Sequence, residues 1–130
     1  MPIIDIPSTV AGQLTSLPGE YSDPDNNAVG TLVYMSGDKE VRAASNSSIL
    51  TAPAAGIILE KLTPTTATIL YAGEANFYAG LTPGDVFLGA SGNLIQSGSL
   101  PSASGSVLQK VGKVKAPDTI VFFPNQVIIL

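Results

Sequence analysis

The chain has 130 residues, of which 45% are apolar and only 12% are charged, and its formal net charge is −4. Six Lys and Arg residues are too few for the basic surface that nucleic acid requires, which argues against a nucleic-acid partner. The lack of Cys and His in the sequence excludes disulfides, thiolate chemistry, and the commonest general base and metal ligand.

The first 27 residues are predicted to form an extended amino-terminal arm. Prolines at positions 2, 7, 18 and 24 punctuate this segment, and each disfavours helix at the residue before it. Leaving Ile3, Ile4 and Ile6 in water would forgo roughly 1.5 to 3 kcal/mol of burial free energy for each side chain. We expect these isoleucines to dock on the domain itself or on a neighbour, and we assign them to partner binding.

After the arm, short runs of β-branched and aromatic residues alternate with turn residues, as in an all-β sandwich or barrel. Hairpin turns are predicted at residues 36–39, 63–66 and 90–93, where Gly, Asn and Pro residues occur. Residues 45–52 predict at most one short helical turn, and the Ser-rich residues 97–106 predict a surface loop. The predicted strands cover residues 31–35, 41–43, 55–62, 67–72, 75–78, 85–88, 94–96, 107–115, 119–123 and 126–130.

A strand unit of about fifty residues is repeated along the chain. Residues 30–41 align without a gap on residues 84–95, and each copy has a glycine, a strand, a turn and a second strand. Duplication of this kind builds a β domain and indicates no active site. We therefore predict an all-β fold, in which residues 28–130 form a single β-sandwich or barrel built from two pseudo-repeated hairpin units. The extended N-terminal arm of residues 1–27 precedes them.

The segment from Asp23 to Asn27 offers several hard oxygen ligands within five residues, as calcium loops do. It lacks the glycine and the distal glutamate of an EF-hand. We predict a turn there, in which Asp and Asn side chains hydrogen-bond the backbone, and no metal site.

Two pairs of carboxylates would suit glycoside hydrolysis. They are Glu74 with Asp85 and Asp38 with Glu40. Each of the four falls in or beside a predicted turn, so we expect solvated surface positions. The Ser-rich loop has no histidine beside it, and the glycine motifs of phosphate-binding loops do not occur in the sequence. We predict no enzymatic activity, no catalytic residue and no cofactor.

Tyr71, Phe77 and Tyr78 lie close together in the sequence, around Gly73. Such a group forms an aromatic platform for a sugar in some proteins, but core packing explains three aromatic residues more simply. We predict core packing, with stacking on a ligand as the alternative.

The carboxyl terminus is the second apolar end of the chain, formed by Val127, Ile128, Ile129 and Leu130. An unpaired strand of this composition is an aggregation hazard, so it must pair within its own domain or add to a neighbour's sheet. We predict internal pairing, and we assign the four side chains to partner binding.

Five short motifs follow one another between residues 28 and 123. They are Gly30-x-x-Val33-Tyr34-Met35, Pro53-Ala54-Ala55-Gly56-Ile57, Leu81-Thr82-Pro83-Gly84-x-x-Phe87-Leu88, Gly92-x-Leu94 and Gln109-x-Val111-Gly112-x-Val114. In this order they resemble the small all-β virion proteins of phages, namely head decoration or capsid-stabilising proteins and related tail-associated β modules. Met35, Phe87 and Val114 replace the more usual Leu, Tyr and Ala, and the arm is not part of the shared pattern.

The resemblance implies a non-enzymatic structural protein that binds the major capsid protein and stabilises the assembled phage head. Its expected location is the capsid surface of the virion, after synthesis in the host cytoplasm, and its expected state is a homo-oligomer. No membrane partner is expected, because no apolar run approaches the roughly 18 residues of a spanning helix. The alternative is a tail-associated receptor- or carbohydrate-binding β module, in which the aromatic group or residues 97–106 contact a glycan.

The sparse charge and the two apolar ends favour assembly on a larger structure, because the cores of interfaces are depleted of charge. The mechanism that we expect places the β domain on coat subunits, while the arm runs across a neighbour by strand addition or groove docking. Repetition at many symmetry-related copies would make individually weak contacts strong together.

Overall fold

A computed structural model describes residues 20–130, and over this part the chain is all-β, as predicted. Three short 3₁₀ turns accompany the strands, at Ile49–Thr51, Ala90–Gly92 and Ser97–Ser99. Residues 20–130 contain no helix long and apolar enough to cross a bilayer. The strands are β1 (Tyr21–Ser22), β2 (Leu32–Gly37), β3 (Glu40–Ala43), β4 (Gly56–Thr63), β5 (Thr66–Leu70), β6 (Gly73–Ala75), β7 (Asp85–Leu88), β8 (Leu94–Ile95), β9 (Val107–Leu108), β10 (Lys110–Ala116), β11 (Thr119–Phe122) and β12 (Ile128–Ile129).

The first five strands form a closed barrel in the order β1-β3-β2-β4-β5. Most neighbours pair antiparallel, but β1 runs parallel to β3 through the pair Ser22 and Glu40. On its other side β1 runs antiparallel to β5, where Tyr21 faces Ala67. The short strand β1 therefore closes the barrel, and closure leaves this sheet without a free edge.

The remaining strands form two open sheets. Five of them follow the order β6-β11-β10-β7-β8, with antiparallel pairing throughout. The last strand, β12, pairs antiparallel with β9 in a separate two-stranded sheet. Both sheets keep edge strands, which expose backbone groups that a further strand can pair with.

Consecutive apolar residues of the barrel strands face two different cores. Val33, Ile58 and Ile69 point into the barrel, whereas the adjacent Leu32, Ile57 and Leu70 belong to a larger core shared with the second sheet. All six are nearly or completely buried. Because side chains alternate along a strand, doublets such as Ile57-Ile58 indicate strands that are covered on both faces.

The predicted hairpin turns are confirmed. β2 and β3 pair across Gly37 and Glu40, β4 and β5 pair across Thr63 and Thr66, and the 3₁₀ turn Ala90–Gly92 joins β7 to β8. Lys39 and Ser91 have positive φ angles of 51° and 54°, and Gly92 has 81°. Tight turns need such angles, which accounts for the glycines and polar residues at these positions.

Three predicted boundaries differ from the structure. The domain begins before residue 28, because Tyr21 is buried in the barrel and β1 closes it. The strand predicted at residues 75–78 lies earlier, at Gly73–Ala75, where it pairs with β11. The strand predicted at residues 107–115 is interrupted at Gln109, because the chain passes from the β12 sheet to the β7 sheet there. The arm up to residue 19, which includes Ile3, Ile4 and Ile6, lies outside the described residues.

Candidate functional site

The carboxyl-terminal strand β12 pairs inside its own chain, which confirms the internal pairing predicted for it. Ile128 faces Leu108 and Ile129 faces Val107. Although paired, these side chains stay largely in water, with exposed fractions of 58% for Ile128, 59% for Ile129 and 38% for Leu130. Val127 is partly buried. Among the described residues β12 has no partner on its outer side, so an apolar strand edge remains open.

The buried side chain of Gln109 holds the carboxyl-terminal segment in place. Its Nε2 donates to the carbonyl oxygens of Ala54 (3.1 Å) and Asn125 (3.0 Å), and its Oε1 accepts from the Ala54 N–H (2.8 Å). At the far end of the segment, the N–H of Leu130 donates to Ser106 O and the N–H of Gly105 donates to Leu130 O, both at 2.8 Å. The open edge is therefore presented by a fixed segment.

The loop at residues 45–51 brings a second pair of apolar side chains to this part of the molecule. The N–H of Val107 donates to Asn46 O (2.8 Å), so the loop lies along the side of β9 opposite β12. On its 3₁₀ turn Leu50 is 82% exposed and Ile49 is also exposed. The exposed apolar side chains on the two sides of β9 are Ile49, Leu50, Ile128, Ile129 and Leu130, and we name this group the carboxyl-terminal edge. Sequence reasoning missed Ile49 and Leu50, although an apolar pair within a Ser-rich turn is a signal.

A groove of about 490 Å³ runs beside this edge. Its lining residues are Phe87, Leu108, Lys110, Asn125, Gln126, Val127 and Ile128. Lys110 is held over the groove, because its Nζ lies 3.3 Å from an Asp85 carboxylate oxygen and 6.0 Å from the ring centre of Phe123. The groove thus combines apolar walls with one neutralised charge, a composition that suits contact with protein.

The oxygen-rich segment at Asp23 forms the predicted turn. Asp23 is completely buried, and its carboxylate accepts from the backbone N–H and the side-chain Nδ2 of Asn27, both at 2.8 Å. Lys61 forms an ion pair with the same carboxylate. Its oxygens are therefore used for protein contacts, and the described residues hold no cluster of three acidic groups suited to a metal ion.

The structure does not bring Glu74 and Asp85 together. Glu74 pairs with Val121, Val121 with Lys113, and Lys113 with Asp85, so the two acids are three strands apart. At about 4.8 Å per strand, the separation is roughly 14 Å, which exceeds the spacing of either class of glycosidase. Each acid instead forms an ion pair with a lysine, Glu74 with Lys115 and Asp85 with Lys110.

The three aromatic residues pack against cores, as predicted, but in two separate places. Tyr71 packs against the barrel core, with its ring centre 6.2 Å from that of Tyr21. Phe77 and Tyr78 pack against the shared core, with their ring centres 6.3 Å apart. The hydroxyl of Tyr78 donates to Gly30 O (3.0 Å), and burial raises the pKa of this phenol above its ordinary value of 10.0.

Comparison with models of protein families, with curated proteins and with solved structures found no match for this chain.

Proposed function

We propose that this chain is a non-enzymatic structural protein of a phage virion, a decoration or cement protein that binds the major capsid protein and stabilises the assembled head. The carboxyl-terminal edge carries the proposal. Large apolar side chains that stay exposed on an ordered strand and an adjacent turn mark interaction sites, because burying each would gain roughly 1.5 to 3 kcal/mol. The motif order described above supports the choice of a virion partner.

The arrangement of the two larger sheets supports a duplicated building unit. Strand β2 pairs with β3 and β4, and β4 pairs with β5; in the same way β7 pairs with β8 and β10, and β10 pairs with β11. The first strands also correspond, since β1 pairs with β5 and β6 pairs with β11. We infer that the fold is two copies of one five-stranded unit, of which only the first is closed.

This arrangement suits a small protein that binds a lattice. The closed barrel has no free edge and gives rigidity, whereas the open sheets leave free edges, and one of these edges carries the exposed Ile128 and Ile129. Contacts that are repeated over many copies on a capsid add up, so each one can be weak. In this proposal the carboxyl-terminal edge contacts the coat, the protein acts as a homo-oligomer, and the capsid surface is its location.

Binding to capsids that lack the protein tests the proposal. Replacing Ile128 with Asp puts a charge on the edge, so we expect capsid binding in a sedimentation assay to weaken at least tenfold. Leu62→Asp is the matched control, because Leu62 is 45% exposed but lies on β4 of the barrel; its effect should stay within twofold. Equal binding by the Ile128 variant and the unmodified protein would contradict the proposal.

Two further measurements separate the alternatives. Deletion of residues 1–7 tests the arm, since undiminished capsid occupancy would exclude it as an anchor. A glycan array tests the tail-associated carbohydrate-binding module, which predicts sugar binding without capsid binding. That second candidate has less support, because Tyr71 lies on a different core from Phe77 and Tyr78, so the three rings do not form one platform.

A further inference from the structure

The second sheet is open at the place where the barrel is closed. In the barrel, the N–H of Ser22 donates to Lys39 O (2.7 Å) and Ser22 pairs with Glu40, which joins β1 to β3. The repeat that aligns Gly30 with Gly84 matches Ser22 to Asn76 and Glu40 to Leu94. No pairing joins β6 to β8, and β8 pairs only with β7 in the part of the chain that the structure describes.

A groove of about 620 Å³ occupies this open seam. One wall is β8 with the residues before it, the other is the segment that follows β6, and residues 28–31 form the floor between them. The lining residues are Ala28, Val29, Gly30, Thr31, Phe77, Tyr78, Ala79, Leu81, Gly92, Asn93, Leu94 and Ile95. We name this groove the seam groove. Side chains cross this seam at two places: within the groove the Tyr78 hydroxyl donates to Gly30 O (3.0 Å), and beyond its end Gln96 Nε2 donates to Thr82 O (2.7 Å).

None of the residues that line the seam groove is charged, and most are apolar. A site that combines an open strand edge with apolar walls recognises an extended peptide, since the edge pairs with its backbone and the walls receive alternate side chains. The occupant must therefore be apolar at every second residue and must carry no charge on the buried side.

We propose that the seam groove accepts residues 2–6 of a second copy of this chain as an added strand beside β8. Ile4 and Ile6 alternate in this segment, so they face the groove together, while Asp5 faces water. Pro2 and Pro7 flank the segment and favour extended backbone at the residues before them. The added strand takes the position between β6 and β8 that the duplicated unit leaves empty.

The entry point of the chain favours a second copy over the same molecule. β1 enters the barrel beside the turn that joins β2 to β3, because Ser22 contacts Lys39 and Glu40. The seam groove lies at Gly30 and Thr31, at the other end of β2 and about 20 Å away. Since β1 runs parallel to β3, Glu20 lies at the end of β1 that is farther from its own groove. Residues 7–19 span at most about 45 Å, enough to reach a neighbour.

Such a contact joins the arm of one copy to the groove of another, so reciprocal exchange gives a two-fold dimer and one-way exchange gives a ring or a filament. The inference does not depend on capsid binding, because it is tested with the purified protein alone. Failure of one proposal therefore leaves the other standing.

Cross-linking of a mixture tests the contact, because the chain has no cysteine of its own. One variant carries Asp5→Cys, which keeps all three isoleucines, and the other carries Asn93→Cys at an exposed residue of the groove. With a short bis-maleimide we expect at least ten times more heterodimer than from Asp5→Cys mixed with Lys113→Cys, an exposed residue of β10. Equal yields would overturn the proposal.

Two more variants distinguish the remaining outcomes. A double variant carries Asp5→Cys and Asn93→Cys in one chain. If its two cysteines cross-link within the chain, but the two single variants do not cross-link when mixed, the segment binds its own domain and the second copy is excluded. In light scattering, Ile4→Asp should weaken self-association at least tenfold relative to Ile3→Asp, whose side chain faces away from the groove. Equal effects of the two substitutions would contradict an added strand.

Discussion

At the scale of single residues, the buried Gln109 connects distant parts of the chain through its side-chain amide. Its amide satisfies the N–H and carbonyl of Ala54 and the carbonyl of Asn125 within the interior. A buried polar side chain is stable only when its hydrogen bonds are made, and here they join three distant parts of the chain. Gln109 also marks the point where the chain passes from β9 to β10.

Replacement of Gln109 with Leu should lower the free energy of unfolding by about 3 kcal/mol, because it leaves three backbone groups without partners. Urea denaturation measures the change. Gln96→Leu is the matched control, since Gln96 makes similar paired contacts with Thr82 but at the surface, where water replaces them. Its cost should stay below about 1 kcal/mol. A similar loss for the two variants would show that burial of Gln109 is unimportant.

At the scale of elements, β10 is the central strand of the second sheet and needs close contact on both sides. It pairs with β7 and β11, and Gly112 faces Val86 on one side and Phe122 on the other. A Cβ atom at Gly112 would overlap the carbonyl oxygen of Val121. Glycine is required here because a neighbouring backbone approaches closely.

Gly112→Ala should therefore separate β10 from β11 and lower the free energy of unfolding by more than about 2 kcal/mol. Gly98→Ala controls for glycine replacement in general, because a Cβ atom at Gly98 meets nothing within 4 Å; its effect should stay within about 0.5 kcal/mol. Thermal or urea unfolding compares the two. If Gly112→Ala is as stable as Gly98→Ala, the close approach of the backbones is not a constraint.

Most elements were predictable from local patterns. Alternating β-branched runs and turn residues indicated ten strands and three hairpins, and the structure has strands close to all of these positions. Strand β1 was missed because Tyr21 and Ser22 form only two residues of strand between prolines 18 and 24. Its pairing with Ala67 and Glu40 is long-range, so no local pattern indicates it.

At the scale of the whole molecule, a few contacts join the barrel to the second sheet. The N–H of Gly92 donates to Ala44 O (2.6 Å), and the N–H of Asn46 donates to Gly89 O (3.1 Å). The Tyr78 hydroxyl bonds Gly30 across the seam groove. Around these bonds the shared core takes side chains from both sheets and joins the barrel to the second sheet.

Because of the Tyr78 phenol, the free energy of unfolding should decrease at alkaline pH. Burial raises its pKa in the folded state, so above pH 10 the unfolded chain loses this proton first. The free energy of unfolding then falls as pH rises, by up to about 1.4 kcal/mol per pH unit for this group, and the contribution is constant below pH 10. Tyr78→Phe should cost about 1 kcal/mol at pH 8, through the lost hydrogen bond. It should also make the decline above pH 10 less steep, while the part due to Tyr71, whose pKa burial also raises, remains.

Urea denaturation at pH 8, 10 and 11 measures both effects. Tyr34→Phe is the control, since it removes a phenol from β2 and leaves the Tyr78 phenol in place. An equally steep decline in the Tyr78 and Tyr34 variants would show that the Tyr78 phenol is not responsible.

The sequence by itself determined the all-β class, the position of most strands and the two apolar ends. These follow from side-chain alternation, turn chemistry and hydrophobicity, which act over a few residues. Only the tertiary structure decided that the barrel closes while the second sheet stays open, that Gln109 holds the carboxyl-terminal segment, and that the loop carrying Leu50 lies beside β9. Those features depend on contacts between residues far apart in the chain, where the register of strand pairing and the packing of a shared core select the partners.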